Sequence, residues 1–335
     1  MNRLADRKPN LRDVARAANV SAATVSRVMT GSASVATETR ERVEAAIEAL
    51  QFVPSSAARA INSGRTRLIG ALIPTLDHAI FARFIDHVET TLDTRGLSLI
   101  VANTRSDTEQ ELAKARKLLD LGVEALLVSG TTRAEGFGAL VTRYGVPVVA
   151  TSCFDPGYTY PTIGYDNFEV ARSALLHLLS LGHQRIAVLS GPAHNNDRTR
   201  ARLGGIRSIA GPDVHVEETE LSFDGARAGL NAARQAVPDL TAVLCLSDVL
   251  AQGALLELRR AGQGGAAPLS VMGMDDLPTS EHFDPPLSTV RLPVGRMGEA
   301  AAHAIANWVE LGTTPSPMQI ETRLVPRAST AALGT

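Results

Sequence analysis

The chain has 335 residues, 44% of them hydrophobic, and a formal net charge of −2, enough for two or three domains with substantial cores. No apolar run reaches the roughly eighteen residues of a membrane span, and the polar opening MNRLADRKPN lacks the apolar core of a secretory signal, so a cytoplasmic protein with no membrane partner is expected. The charge is uneven: residues 1–67 carry a net +5 and the remainder −7, a basic small domain on an acidic body, as phosphate binding at one end requires.

The first elements are two short amphipathic helices in LRDVARAANVSAATVSRVM, Leu11 to Met29. Asn10 reads as the N-cap of the first, with Asp13 in its first turn and Val14, Ala15 and Ala18 facing inward. Asn19 falls at the break, where a left-handed residue is needed. Ser21 restarts the helix, Val25 and Val28 continue the apolar stripe, and Ala22, Ala23, Ser26 and Arg27 are expected to face outward. A row of short side chains with one arginine suits a helix that lies in a major groove. After the Gly/Ser loop of residues 30–36, a third helix is expected over Thr37–Leu50. Pro54–Thr66, PSSAARAINSGRT, reads on composition as a linker with a short helix.

The run from Leu11 to Thr66 resembles the DNA-binding headpiece of the LacI/GalR family of bacterial repressors, through the pattern D-V-A-x-x-A-x-V-S-x-x-T-V-S-R-V at Asp13–Val28. The resemblance implies base reading by Ala22, Ala23 and Arg27, and phosphate positioning by Ser21, Thr24 and Ser26. It also makes Pro54–Thr66 a hinge helix that pairs with its twin in the minor groove. Ile61 stands where the family usually has leucine, as an apolar wedge, with Arg59 beside it reaching phosphates or the groove floor. A rigid connector with Ile61 in its core is the other reading of that segment.

From Leu68 the pattern becomes strand-like runs (Leu68–Pro74, Leu97–Ala102, Ala125–Ser129, Val146–Ala150, Arg185–Ser190, Ala242–Leu246, Leu269–Gly273) alternating with helical stretches (Phe81–Thr94, Glu109–Leu121, Asn167–Leu181, Arg198–Ile209, Val249–Ala261). Such alternation predicts parallel sheets with helices on both faces. The expected organisation is an all-α helix-turn-helix headpiece over residues 1–53, a hinge helix and linker over 54–67, and an α/β effector and dimerisation domain over 68–335. By resemblance the last is a two-lobed type I periplasmic-binding-protein fold. Its N-lobe is placed at 68–165 plus 291–312 and its C-lobe at 166–290 plus 318–327.

Open sheets of this kind bind ligands at the carboxyl ends of their strands. The resemblance places an effector between the lobes, held by Asp77, Phe81, Asp166, Asn167, Arg202, Phe223, Asp248 and Asp275. Taken without it, Asp166 and Asn167 read equally as a helix cap, Asp275 as a turn residue, Arg202 as a surface charge and Phe223 as core. Carboxylates facing an arginine suit a polyhydroxylated ligand, so a sugar or sugar acid is expected.

Cys153 and Cys245 read as buried free thiols. GHQRIAVLSGP, Gly182 to Pro192, has neither a G-x-G-x-x-G nor a Walker lysine, and reads as a structural helix-to-strand junction. With no nucleophile elbow and no metal-ligand spacing, neither an enzyme nor a cofactor nor a metal site is expected. A transport-type solute-binding protein would carry an export signal and no basic headpiece. The reading is a sequence-specific repressor of carbohydrate genes that binds a pseudo-palindromic operator in double-stranded DNA. The tail ASTAALGT has no leucine heptad, so a homodimer is expected. The other reading is a cytoplasmic solute-binding protein without a transcriptional role.

Overall fold

A computed structural model describes residues 9–29, 34–53, 60, 64–211, 214–262 and 269–333. The chain divides into two compact units, Met1–Thr66 and Arg67–Thr335. Most of the expected hinge helix, with Arg59 and Ile61, lies outside the described residues.

In the first unit, α1 (Leu11–Ala17) opens with a capping box: Asn10 Oδ1 accepts from the Asp13 backbone N–H at 3.2 Å and Asp13 Oδ2 accepts from that of Asn10 at 3.0 Å. Asn19 has φ of +52°, the left-handed turn that lets α2 (Ala22–Met29) leave at an angle to α1. Val14 and Val25 meet Val43 of α3 (Thr37–Ala49) in a small, fully buried core. Ala22, expected to face outward, is half-buried and packs against that core.

In the second unit the described residues form a six-stranded sheet of β1 (Leu68–Ile73), β2 (Ser98–Asn103), β3 (Ala125–Ser129), β4 (Val148–Thr151), β5 (Thr162–Gly164) and β11 (Met318–Gln319), in the order β11-β5-β4-β3-β1-β2. A four-stranded sheet is built from β6 (Ile186–Ser190), β7 (Val216–Glu218), β8 (Ala242–Cys245) and β9 (Ser270–Met272), ordered β7-β6-β8-β9. Every pairing in both is parallel. Their central strands β1, β3, β4, β6 and β8 are therefore near-continuous apolar runs with helices on both faces. Two further strands, β10 (Thr289–Arg291) and β12 (Arg323–Val325), pair antiparallel.

The first sheet carries α4 (Ala79–Asp93), α5 (Thr108–Asp120), α6 (Phe137–Tyr144) and the long α11 (Val294–Leu311), which packs on α4. The second carries α7 (Asn167–Ser180), α8 (Asp197–Ala210), α9 (Phe223–Ala236) and α10 (Asp248–Arg260), with α7 packed on α8 and α9 on α10. One apolar core runs through both lobes, from Ile69 and Phe84 to Val188 and Leu203. The chain crosses from one lobe to the other at Tyr165–Asp166, between β5 and α7.

One boundary differs from expectation. Met318 and Gln319 extend the first sheet beside β5 instead of joining the C-lobe. The residues after β12 do return to the C-lobe: the Val271 N–H donates to the Ser329 carbonyl at 2.8 Å and the Leu333 N–H to that of Leu181 at 2.8 Å. Among the described elements, α6, β5, β7, α9 and the long α11 were not anticipated. β5 and β7 are three residues each, and α9 buries Gly225, Ala226, Gly229, Leu230 and Ala233, a face too small to register as an apolar stripe. Cys153 and Cys245 are buried and free. No helix among the described residues is long and apolar enough to cross a membrane.

Candidate effector cleft and DNA-reading helix

The carboxyl ends of β1, β4, β6, β8 and β9 point toward one region between the lobes, and a cavity of about 120 Å³ opens there. Three of the residues singled out in the sequence line it: Phe81 of α4, Arg202 of α8 and Asp275 after β9. Apolar side chains such as Phe84, Leu246 and Met297 form much of the remaining wall, and Ser152, Asn196 and Ser247 add polar groups. An apolar body with a few placed polar groups is the usual make-up of a small-molecule site.

Arg202 is held at two points. Its Nε donates to Asn167 Oδ1 at 3.0 Å and its Nη1 to the Leu246 carbonyl at 2.7 Å. Asn167 is 4% exposed, and its Nδ2 donates to the Ser152 carbonyl at 2.9 Å. One buried amide thus ties Arg202 of the C-lobe to Ser152 of the N-lobe, where the backbone has φ of +65°. Asp275 has φ of +134°, a conformation that costs ~1–3 kcal/mol and persists only where the surroundings impose it. Its N–H donates to the Val290 carbonyl at 3.0 Å, and its Oδ2 accepts from the Asp248 N–H at 3.2 Å. Burial, reinforced by the neighbouring Asp248 charge, pushes the Asp275 carboxyl up to about 8.

The other five expected effector residues do not line this cavity. Asp77 is exposed in the β1–α4 loop, and His78 takes the lining position beside it. Asp166 is the N-cap of α7, accepting from the Phe168 and Glu169 N–H groups at 2.9 and 3.2 Å. Asn167 lies behind the wall, as just described. Asp248 is fully buried, where it accepts from Ser280 Oγ and Thr289 Oγ1, each at 2.6 Å, and from the Leu277 N–H at 2.9 Å. It staples α10 to the β9–β10 segment. Phe223 begins α9 with 47% of its surface exposed, because the small buried face of that helix turns its first aromatic outward.

At the mouth of the cleft the lobes are clasped. Asp197 Oδ2 of α8 accepts from the Thr131 N–H at 2.9 Å and from Thr131 Oγ1 at 3.2 Å, and Arg200 Nη2 donates to Thr132 Oγ1 at 2.9 Å. Burial opposes the charge on Asp197, but Arg198 at 3.3 Å and the Thr131 amide outweigh it and hold the carboxyl below the usual range.

In the headpiece, Ser21 Oγ accepts from the Thr24 N–H at 3.1 Å and lies 2.9 Å from Thr24 Oγ1, so the two hydroxyls are engaged in starting α2. Ala23 and Arg27 are on its exposed face, with Ser26 and Thr24 half-buried.

The family described as periplasmic binding proteins and sugar binding domain of LacI family matches residues 66–328, and that described as bacterial regulatory proteins, lacI family, matches residues 10–55. The chain belongs to the LacI family of bacterial transcription regulators. It is 35% identical to the HTH-type transcriptional regulator reg1 of Streptomyces lividans over 96% of each chain. Its fold matches the lac repressor bound to ONPG in the repressed state, with a TM-score of 0.85, 26% identity and coverage of 97% of this chain and 100% of that one. It also matches the transcriptional regulator CelR in its cellobiose complex, with a TM-score of 0.68, 27% identity and coverage of 96% and 100%.

This LacI-family chain is accordingly a DNA-binding transcriptional regulator with a small-molecule effector domain. Sequence reasoning missed Ser152, Asn196, Arg198 and Ser247 as lining residues of its cleft. A signal was available for three of them. Ser152 immediately follows β4, Ser247 lies just beyond β8 as the N-cap of α10, and Asn196 is the N-cap of α8. Strand ends and helix starts are the positions from which a doubly wound sheet presents ligand-facing groups.

Proposed function

We propose that this regulator is a cytoplasmic homodimer that represses carbohydrate-metabolism or transport genes from a pseudo-palindromic operator, with a sugar or sugar acid bound in the interlobe cavity setting its DNA affinity. The observation that carries the reading is the meeting of Arg202 and Asp275, 73 residues apart in sequence, at one cavity between the two lobes. Their hydrogen-bonding groups suit hydroxyl and acid oxygens, and Phe81 offers a face for a ring. The cellobiose held by CelR supports the carbohydrate class. On the DNA side, Ala23 and Arg27 are the base readers, and hinge insertion through Arg59 and Ile61 supplies the bend. The effector acts by favouring one lobe arrangement over another, and its leverage equals its differential affinity for the two.

The reading of the chain as a solute-binding protein without a transcriptional role leaves the helix-turn-helix unused. Footprinting of the full chain on DNA flanking its own gene, with and without a panel of sugars and sugar acids, tests the proposal. A protected pseudo-palindrome with enhanced central cleavage, altered by one compound class, is expected. Absence of any protected site at low salt overturns it.

A further inference from the structure

The lobes are tied at two places of different character. The bond from Asn167 to Ser152 joins residues 4% and 6% exposed and sits beside β5, where the chain crosses between the lobes. The clasp at the mouth lies at the end of β3, two strands from β5, or about 10 Å along the sheet. It is made of hydrogen bonds between polar groups, with Thr131, Thr132 and Asp197 half-buried and Arg200 exposed. Bonds in such positions open at lower cost than those of a core.

The turn that forms the N-lobe half of the clasp is shaped from within its own lobe. Arg133 folds back beneath it: Nη1 donates to the Ser129 and Thr132 carbonyls at 3.2 and 2.6 Å, and Nη2 to the Gly130 carbonyl at 2.5 Å. Its charge is met by Glu111 of α5 at 3.4 Å and by the Phe137 ring, 5.6 Å away. A planar fork that gathers three carbonyls of one turn fixes the shape of that turn. The groups left facing α8 are the Thr131 N–H and the two threonine hydroxyls. Asp197 Oδ2 takes the amide and the Thr131 hydroxyl, and Oδ1 accepts from Thr132 Oγ1 at 3.4 Å. Thr132 Oγ1 accepts from Arg200 in its turn, so one hydroxyl serves as donor and acceptor. Asp197 is the first residue of α8, where the helix dipole favours a carboxylate. Gly130 has φ of +70°, and a Cβ there would stand 2.0 Å from Arg198 Nη1, so the lobes meet with no space between them. A chamber of about 20 Å³ behind the clasp, walled by Thr132, Asn195 and Asp197, shares Pro74, Ser106 and Arg198 with the effector cavity.

We infer that the turn of residues 130–133 is a latch on the cleft: preformed by Arg133, it closes the mouth by gripping Asp197 and Arg200, and it releases, while the Asn167 tie holds, to admit a ligand. Arg133 is its positioning residue and acts through the turn. The inference rests on the cavity between the lobes being the effector site and on no particular class of ligand.

Single-residue hydrogen exchange on the full chain without ligand compares two neighbouring amides. The Thr131 N–H is bonded across the lobes to Asp197, the Gly130 N–H within the N-lobe to the Thr151 carbonyl at 2.8 Å. Thr132→Val keeps the side-chain shape and removes one bond each to Asp197 and Arg200; Arg133→Lys keeps the charge beside Glu111 and loses the fork. Each is expected to speed exchange at Thr131 about tenfold and to leave Gly130 within about twofold of wild type. Brief hydroxyl-radical exposure reads the cavity, because Met297, 1% exposed, lines it while Met272 is buried in the core. Oxidation of Met297 is expected to rise severalfold in both variants, with Met272 unchanged. Equal acceleration at both amides overturns the latch, because the N-lobe itself is then opening, and so does acceleration at neither. Faster exchange at Thr131 with Met297 as protected as in wild type overturns the gating of the cavity. An effect of Thr132→Val with none of Arg133→Lys removes Arg133 as the positioning residue. If Arg133→Lys does not fold, Thr132→Val decides.

Discussion

Replacing Asn167 by alanine removes the amide that joins the two walls of the cleft. Arg202 Nε and the Ser152 carbonyl, held at 3.0 and 2.9 Å, both lose their partner at a site where Asn167 itself is 4% exposed. A hydrogen bond to a charged donor contributes about 1.5–3 kcal/mol and a neutral one about 0.5–1.5 kcal/mol. Because half-buried Arg202 can recover some hydration, a loss of about 3 kcal/mol is expected. Urea unfolding of the full chain, followed by the fluorescence of its single tryptophan, Trp308, measures it directly. Arg202 would keep its bond to Leu246 but gain freedom about the remaining torsions. Restoring that order on ligand binding costs about 1 kcal/mol, so effector affinity should fall about fivefold by calorimetry. Asn167→Asp retains an acceptor for Arg202 and loses the donor to Ser152, so its stability should lie between the two. An alanine variant within about 0.5 kcal/mol of wild type, the range of an ordinary surface change, would refute the assignment of Asn167 as the tie between the lobes.

Asp276, whose side chain is 5% exposed, is shared between Arg291 at 2.5 Å and Arg327 at 2.7 Å. Asp276→Ala should cost about 3 kcal/mol by leaving Arg327 without a carboxylate. Burial opposes its charge, but the two arginines outweigh it and hold the carboxyl below its ordinary value. Its stabilisation is therefore complete above an unfolded-state value of about 3.9 and is lost as pH falls through the lower folded one. An acid-unfolding curve in which wild type and variant fail to converge below pH ~4 would contradict this. A Cβ on Gly205 would stand 2.1 Å from the Phe168 carbonyl oxygen of α7, so Gly205→Ala should lose about 2 kcal/mol despite alanine's helix preference of about 1 kcal/mol. A raised urea midpoint would show that α7 and α8 can separate. Arg27→Ala should weaken the cognate operator by about 1–3 kcal/mol and random DNA far less; equal losses on both, by titration at one salt concentration, would remove Arg27 as a base reader.

The headpiece was legible because its signals are local. Asn10 with Asp13, Asn19 at the turn and Ser21 before α2 each act on a neighbour within three or four residues. The βα alternation was equally readable, most helices and strands lying within two residues of their expected ends. Elements made of small residues or only three residues long, such as α9 and β7, carry too little periodic signal. The cleft was read in part. Asp248 and Ser247 are adjacent in sequence, and nothing local says which of them faces the ligand. The decision is made by Ser280 and Thr289, 32 and 41 residues away, which draw the Asp248 carboxylate into the core. Asn167 likewise became a positioning residue through a contact with Ser152 that only the packed lobes create. Phe223, expected as an effector contact or as core, is neither, because the direction of α9 leaves it 47% exposed outside the cavity lining.

The last segment of the chain has a consequence for how the molecule is made. Met318 and Gln319 complete the edge of the N-lobe sheet, while Arg327, Ser329 and Leu333 stitch the C-lobe through Asp276, Val271 and Leu181. Both lobes gain these contacts only after residues 318–333 have emerged from the ribosome. For most of its synthesis the nascent protein therefore exposes an open edge at β5 and an unsealed apolar core, the surfaces that aggregate most readily. A chain arrested before residue 318 leaves both lobes without these contacts, where a chain with contiguous domains would already have one finished.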